Sequence, residues 1–83
     1  SGEPFDVIYI DLNNFKPFND HYGFALGDEV IKILGEIIRR ITQKYLNTFA
    51  GHIGGDDFII ICKSNDSWTI SEELIKEFEK YLP

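Results

Sequence analysis

A Gly-Gly-Asp-Asp sequence at residues 54–57 separates two short apolar segments, residues 48–53 and 58–62. Two consecutive glycines between β-branched and aromatic residues are typical of a tight hairpin, because such turns need positive φ angles that glycine adopts without strain. The pattern therefore predicts two antiparallel strands with carboxylates at their turn. Aspartate is common in turns for conformational reasons alone, so turn geometry explains Asp56 and Asp57 about as well as chemistry does.

Two further apolar patterns precede the hairpin. Residues 5–10 form a nearly continuous apolar run that stops at Asp11, which predicts a strand buried on both faces. The following loop contains Pro17 and indicates a short helical turn after it. Between residues 26 and 45 apolar side chains recur every three or four positions, which predicts a long helix. Asp28 would lie in its first turn, where the helix dipole favours a negative charge.

A second helix is predicted after the hairpin. Thr69 and Glu72 have the spacing of a capping box, and the apolar positions that follow continue to Leu82. The element order is therefore β-α-β-β-α, an α+β fold with an antiparallel sheet and helices packed on it. If the first strand and the hairpin share that sheet, Asp11 lies close to the carboxylates of the hairpin turn.

Length and charge limit the classes of function. A chain of 83 residues holds one domain at most. Its net charge of −6 argues against binding nucleic acid through a basic face. We expect no membrane contact by this segment, since no apolar run approaches the roughly 18 residues that span a bilayer, and no signal peptide begins the chain. Cys62 is the only cysteine, which excludes an intrachain disulfide and favours a reducing, cytoplasmic setting, although a longer parent protein with a membrane anchor is compatible with this.

Three aspartates are candidates for metal chemistry. Asp11, Asp56 and Asp57 all lie beside the ends of predicted strands. Carboxylates gathered at one edge of a sheet repel each other, and a hard cation such as Mg²⁺ relieves that repulsion because it prefers oxygen ligands. Paired ions of this kind can activate an attacking oxygen and stabilise phosphoryl oxygens.

Three blocks of sequence carry a family resemblance. They are DLNNFKPFND at residues 11–20, YG and then GDEV at residues 22–30, and GGDDF at residues 54–58. In order and spacing they resemble the GGDEF family, the diguanylate cyclase domains. The resemblance covers most of residues 6–62 and implies a palm-like fold shared with nucleotide cyclases and polymerases. On this interpretation residues 1–83 are the core of one GGDEF domain, with the family's terminal elements outside it.

The resemblance also implies an activity. Members condense two GTP molecules into cyclic di-GMP and release pyrophosphate, using Mg²⁺ or Mn²⁺. Each domain holds one GTP, so two domains must meet as a homodimer, and sensor or phosphodiesterase domains can be attached in the parent protein. We expect the isolated segment to be weakly active or inactive, because phosphate contacts of the family lie outside it.

Carried over by position, the resemblance assigns four residues to metal binding. Asp11 and the main-chain carbonyl of Leu12 would be ligands. Asp56 would have a metal-binding and base-like catalytic role, and Asp57, the second catalytic acid, would help to hold the second metal.

The resemblance assigns the rest of the site to the nucleotide. Asn19 and Asp28 correspond to the pair that recognises guanine, and an amide with a carboxylate matches the donors and acceptors of that base. Without the resemblance, a turn asparagine and a helix first-turn aspartate explain them better. The backbone along the GTP phosphates would be that of Asn13, Asn14, Phe15 and Lys16.

Several positions depart from the family pattern. Asn13 replaces a second aspartate, Phe24 replaces a histidine, and Asp57 replaces the more common glutamate. Tyr45 and Thr48 occupy the positions of the charged residues in the R-x-x-D inhibitory motif, so no inhibitory site is expected.

These departures motivate the main alternative, a degenerate GTP-binding domain that regulates an attached partner. A palm-like module of another type, as in type III CRISPR effectors, and a purely structural module are further alternatives. His21 and His52 have no partners at a convincing spacing, and both are interpreted as structural.

Overall fold

The computed structural model describes residues 2–81 and confirms an α+β fold. The chain forms strand β1, helices α1 and α2, strands β2 and β3, a short 3-10 turn and helix α3. Their bounds are Phe5–Asp11, Phe15–Tyr22, Phe24–Thr42, Phe49–Gly54, Asp57–Lys63, Ser64–Asp66 and Ser67–Glu79. The predicted order β-α-β-β-α is correct except that two helices, not one, connect β1 to β2.

The sheet has the order β1-β3-β2, with both pairs antiparallel. β3 is therefore central, although β1 comes first in the chain. In the β1–β3 pair, Asp11 lies opposite Asp57. In the β2–β3 pair, Gly54 also lies opposite Asp57, after an irregularity in register that begins at His52. This topology brings the end of β1 and the hairpin turn to one edge of the sheet.

Helices α2 and α3 cover one face of the sheet and form the core with it. The core residues are Leu34, Ile37, Ile38, Ile41, Phe58, Ile60, Cys62, Ile70 and Leu74. Cys62 is fully buried, and this burial raises the pKa of its thiol. Because alternate residues of β3 enter the core, the central strand fixes how the two helices are placed relative to the hairpin.

The opposite face of the sheet is apolar and open. Val7 and Tyr9 of β1 are 66% and 59% exposed, and Phe49 of β2 is 64% exposed. Ile8 and Ile10, on the other face of β1, pack against the core. The prediction that the first strand is buried on both faces is therefore wrong, because the helices cover only one face of the sheet.

Helix α2 begins and ends earlier than predicted. It starts at Phe24, directly after Gly23, whose φ of 94° lets the chain turn sharply out of α1. Asp28 therefore lies in the second turn of α2, not in the first. Tyr45 lies beyond the helix, where its ring packs against the core and its hydroxyl donates a hydrogen bond to Glu73 of α3.

Helix α1 begins two residues before Pro17, not after it. Proline is tolerated in the first turn because the N–H groups there have no partner within the helix. Asn14 precedes the helix with a φ of 62°, a left-handed conformation that asparagine adopts more readily than most residues. The chain thus turns from β1 into α1 over very few residues.

The predicted capping box at the start of the last helix is wrong. Thr69 is the third residue of α3, which begins at Ser67. The start of this helix is held instead by Asp6 of β1, which accepts hydrogen bonds from Ser64 Oγ at 2.8 Å and Ser67 Oγ at 2.7 Å. The predicted apolar position Leu82 lies outside the described residues.

Asp6 makes the attachment of α3 sensitive to pH. The hydrogen bonds from Ser67 and Ser64 lower the pKa of the Asp6 carboxyl. A carboxyl whose pKa is lower in the folded state than in the unfolded chain stabilises the protein at pH values above the unfolded-state pKa, about 3.9. This contribution is lost as the pH falls through the folded-state pKa. We expect Asp6→Asn to lower the melting temperature at neutral pH, with the difference shrinking below about pH 4. Melting curves from neutral to acidic pH check this, and a difference that does not change with pH would contradict it.

Gly35 offers a stabilising substitution. It lies inside α2, and the nearest atom to a Cβ at this position would be a Phe58 ring carbon at 3.8 Å, an ordinary contact. Alanine loses less conformational entropy than glycine on entering a helix, so we expect Gly35→Ala to stabilise the protein by about 0.5–1 kcal/mol. Urea unfolding measures this, and a variant less stable than the wild type would contradict it.

Candidate metal and nucleotide site

Three carboxylates meet where β1 ends and the hairpin turns. Asp11 is the last residue of β1, Asp56 lies in the turn, and Asp57 begins β3. Each offers an oxygen atom, and these atoms all lie within 4.8 Å of one another. Asp11 is exposed, whereas Asp56 and Asp57 are half-buried. The predicted convergence of these three residues is therefore present in the structure.

The cluster is electrostatically strained. Loss of hydration, together with the neighbouring carboxylates of Asp57 and Asp56, raises the pKa of Asp11. Like charges at this distance favour either a proton or a cation between them. The donor set consists only of carboxylate oxygens, which suits Mg²⁺ or Mn²⁺ and not a soft metal.

Tyr9 is a neighbour of the cluster that the sequence interpretation missed. It lies two residues before Asp11 in β1, on the same face of the strand, and opposite Ile59 of β3. The nearby Asp57 carboxylate, partial desolvation and the charges of Asp11 and Asp56 raise the pKa of its phenol. The two-residue period of a strand could have predicted this neighbour, since it places residues 9 and 11 on the same face.

The loop after β1 connects the acid cluster to α1. The side chain of Leu12 packs against the core, which anchors the backbone just after Asp11. Asn13 and Asn14 form the turn, and Phe15 and Lys16 begin α1. The Lys16 ammonium pairs with Asp20 at 3.1 Å on the exposed side of α1. The first N–H groups of a helix lack partners within it and can bind an anion.

The structure brings Asn19 close to the residue before Asp28. A Cβ built on Gly27 would lie only 1.8 Å from Asn19 Oδ1, so this amide occupies the space that glycine leaves open. Asn19 Oδ1 is buried and has no hydrogen-bond partner among the described residues. Asp28 is exposed. The predicted pair thus comes from adjacent helices, α1 and α2, with one orphaned polar atom between them.

The remaining polar residues singled out in the sequence have local roles. The hydroxyl of Tyr45 is bound to Glu73, which raises the pKa of Tyr45 to about 12. Thr48 Oγ1 donates to the carbonyl of Leu46 at 3.1 Å. His21 packs edge-on against Tyr22, with ring centroids 4.5 Å apart.

Comparisons with known proteins agree with this arrangement. The family model for the GGDEF domain of diguanylate cyclases matches residues 1–82, and the chain therefore belongs to the GGDEF family. A diguanylate cyclase of Vibrio cholerae is 30% identical over 82 residues, which is 95% of this chain and 25% of that protein. Diguanylate cyclase DgcS of Shewanella oneidensis is 42% identical over 59 residues, covering 71% of this chain and 19% of that protein.

Solved structures show the same fold. The active GGEEF domain of a diguanylate cyclase from Vibrio cholerae superposes with a TM-score of 0.77 at 29% identity, covering 90% of this chain and 49% of that chain. The GGDEF domain of DgcB from Caulobacter crescentus, solved in complex with c-di-GMP, gives a TM-score of 0.75 at 30% identity, covering 84% of this chain and 42% of that chain. These similarities confirm the expected palm-like fold. The chain spans less than half the length of these solved chains and about a quarter or less of the curated relatives above.

Over residues 2–81, the structure contains no helix long and apolar enough to cross a membrane.

Proposed function

We propose that this chain is the core of a diguanylate cyclase domain, which condenses two GTP molecules into cyclic di-GMP and releases pyrophosphate. The observation that carries the proposal is the convergence of Asp11, Asp56 and Asp57 within 4.8 Å. Family membership and relatives named as diguanylate cyclases support it. Since GTP is an intracellular metabolite, the domain would act in the cytoplasm.

The acid cluster would bind the divalent ions of the reaction. Asp11, the carbonyl of Leu12, Asp56 and Asp57 would hold Mg²⁺ or Mn²⁺. When bound, such ions neutralise triphosphate charge and lower the energy of a phosphoryl transition state. In the condensation a ribose hydroxyl attacks the α-phosphorus of the other GTP, pyrophosphate leaves, and the hydroxyl proton must be accepted. Asp56 is the proposed acceptor, in the base-like role that the family resemblance implies for it.

The nucleotide would extend from the acid cluster along α1. The backbone N–H groups of residues 13–16 would bind its phosphates at the start of this helix. Asn19 and Asp28 would recognise guanine: a carboxylate accepts from the N–H groups of the base, and an amide can both donate and accept. The orphaned Asn19 Oδ1 is consistent with an amide whose partner is a ligand.

One GTP per domain requires a second domain for the condensation, so we propose a homodimer as the active form. Sensor or phosphodiesterase domains are candidate partners in the parent protein. One relative, MucR of Pseudomonas aeruginosa, is named a bifunctional diguanylate cyclase/cyclic di-GMP phosphodiesterase.

The test is to incubate the parent protein with GTP and Mg²⁺ and to separate the products by chromatography. We expect cyclic di-GMP and pyrophosphate from the wild type and from Glu72→Gln, an exposed charge on α3 away from the cluster. We expect neither product without a divalent ion. A folded, dimeric parent that forms no product would contradict the proposal.

A regulatory GTP-binding domain is the second candidate. Asn13 removes one negative charge beside the acid cluster, and Asp57 has a shorter side chain than the usual glutamate, so metal binding could be weaker than in active members. Calorimetric binding of GTP by the parent without turnover would select this function over catalysis.

A further inference from the structure

His52 links the two sides of the hairpin turn. It lies in β2, two residues before Gly54, and its Nε2 is 2.9 Å from the carbonyl oxygen of Gly55. A carbonyl can only accept, so this ring nitrogen must carry the proton and donate it. The ring also stacks on Phe58, with centroids 4.3 Å apart and planes 11° from parallel. One imidazole therefore contacts the residue before Asp56 and the residue after Asp57.

The space around the two glycines of the turn is open. A Cβ built on Gly54 or on Gly55 would meet no described atom within 4 Å. Gly55 has a φ of 48°, and the β2–β3 register is irregular between His52 and Gly54. A bulge of this kind redirects the side chains beyond it, so their direction depends on whatever holds the local backbone.

Phe58 gives His52 a rigid base. It is only 5% exposed and belongs to the core cluster with α2 and α3. The stacked ring of His52 is thus attached to the core, while its Nε2–H reaches out to the turn. The Gly55 carbonyl belongs to the peptide bond that leads into Asp56, so fixing it fixes the plane from which the Asp56 side chain leaves the backbone.

We infer that His52 is a positioning residue for the acid cluster: it holds the Gly55–Asp56 peptide so that Asp56 and Asp57 stay within reach of Asp11. This inference rests on the proposed function, because it concerns the same metal site. The role requires a donor to the Gly55 carbonyl, and the stacking on Phe58 only supports the side chain that carries this donor. The hydrogen bond and the stacking can therefore be tested separately, with one substitution that keeps the stacking and one that keeps a donor.

The test uses the parent protein with His52→Phe and His52→Gln. Phenylalanine keeps the stacking and loses the donor, whereas the glutamine amide can donate to the Gly55 carbonyl. His21→Phe is the matched control, since His21 contacts Tyr22 on α1. Partners that orient metal ligands typically contribute 10–100-fold in affinity, so we expect His52→Phe to weaken Mn²⁺ binding about 10-fold, with most of it recovered in His52→Gln. Mn²⁺ binding is followed by electron paramagnetic resonance, without GTP.

Amide hydrogen exchange at residues 55–57, measured without metal, is the second readout. We expect faster exchange in His52→Phe, near wild-type exchange in His52→Gln, and no change in His21→Phe. Unchanged exchange or unchanged Mn²⁺ affinity in His52→Phe overturns the inference, and if the wild type still makes cyclic di-GMP, the proposed function stands. A wild type that neither binds Mn²⁺ nor forms product defeats the proposed function and the inference together.

Discussion

Asp11→Asn in the parent protein is expected to lower the rate of cyclic di-GMP formation by about 10²- to 10³-fold, because several kcal/mol of charge stabilisation depend on a metal site of this kind. Asparagine preserves the size of the side chain but removes one of three charges that lie within 4.8 Å of one another. Removing that charge also relieves repulsion within the cluster, so the fold should be retained. Initial rates at saturating Mg²⁺, with a melting curve for each variant, measure both effects.

The controls separate chemistry from charge. Glu72→Gln removes one negative charge from the exposed surface of α3 and should leave the rate unchanged. Asp56→Asn should be as damaging as Asp11→Asn, and the double variant should lose much less than the product of the two single losses, because residues that act as a unit are not additive. A wild-type rate in Asp11→Asn would remove this residue from the site.

Gly27→Ala is expected to raise the KM for GTP about 10-fold or more, the scale of one lost hydrogen bond to a ligand, while the protein stays folded. The added Cβ would lie 1.8 Å from Asn19 Oδ1 and 2.9 Å from its Cγ. Both atoms belong to a side chain that can rotate away, so the cost in stability is small. The rotation removes the Asn19 amide from its place against Gly27, the residue before Asp28 in the proposed guanine site.

A cycle with Asn19→Ala tests this explanation. If Gly27→Ala acts through Asn19, then the double variant Asn19→Ala/Gly27→Ala should bind GTP no more weakly than Asn19→Ala alone. Gly35→Ala, in the same helix, is the control for a glycine replaced without a clash, because the nearest atom to its Cβ lies at 3.8 Å. Additive losses in the double variant would show that Gly27 affects GTP binding by another route.

Short-range patterns made the hairpin and the end of the first strand predictable. The glycines at residues 54–55 marked the turn, and an apolar run ending at Asp11 marked a strand end. Antiparallel pairing then left few ways to arrange three strands, and the arrangement that occurs places Asp11 opposite Asp57. The turn and the strand end depend on neighbouring residues, whereas the meeting of Asp11 with the hairpin acids depended on the condition that β1 joins the same sheet.

The features that were predicted wrongly depend on contacts between distant parts of the chain. The start of α3 is held by Asp6, which is 58 and 61 residues away from its partners Ser64 and Ser67. No local pattern indicates such a contact, so the local capping signal at Thr69 was misleading. Likewise, the apolar composition of β1 indicates burial on both faces, but only the packing of the helices shows that one face stays open. The nucleotide roles of Asn19, Asp28 and residues 13–16 are assigned by family resemblance, because no local pattern distinguishes them from turn and helix residues.

The open face and the edge position of β1 also determine how the isolated chain should behave in a test tube. An edge strand presents backbone N–H and C=O groups that can pair with another molecule. Beside them, Val7, Tyr9 and Phe49 form an exposed apolar surface. Purified alone, the 83-residue polypeptide should therefore cluster as it is concentrated. If such a preparation is a poor catalyst, aggregation has to be excluded as the cause before the low activity is attributed to the aspartates.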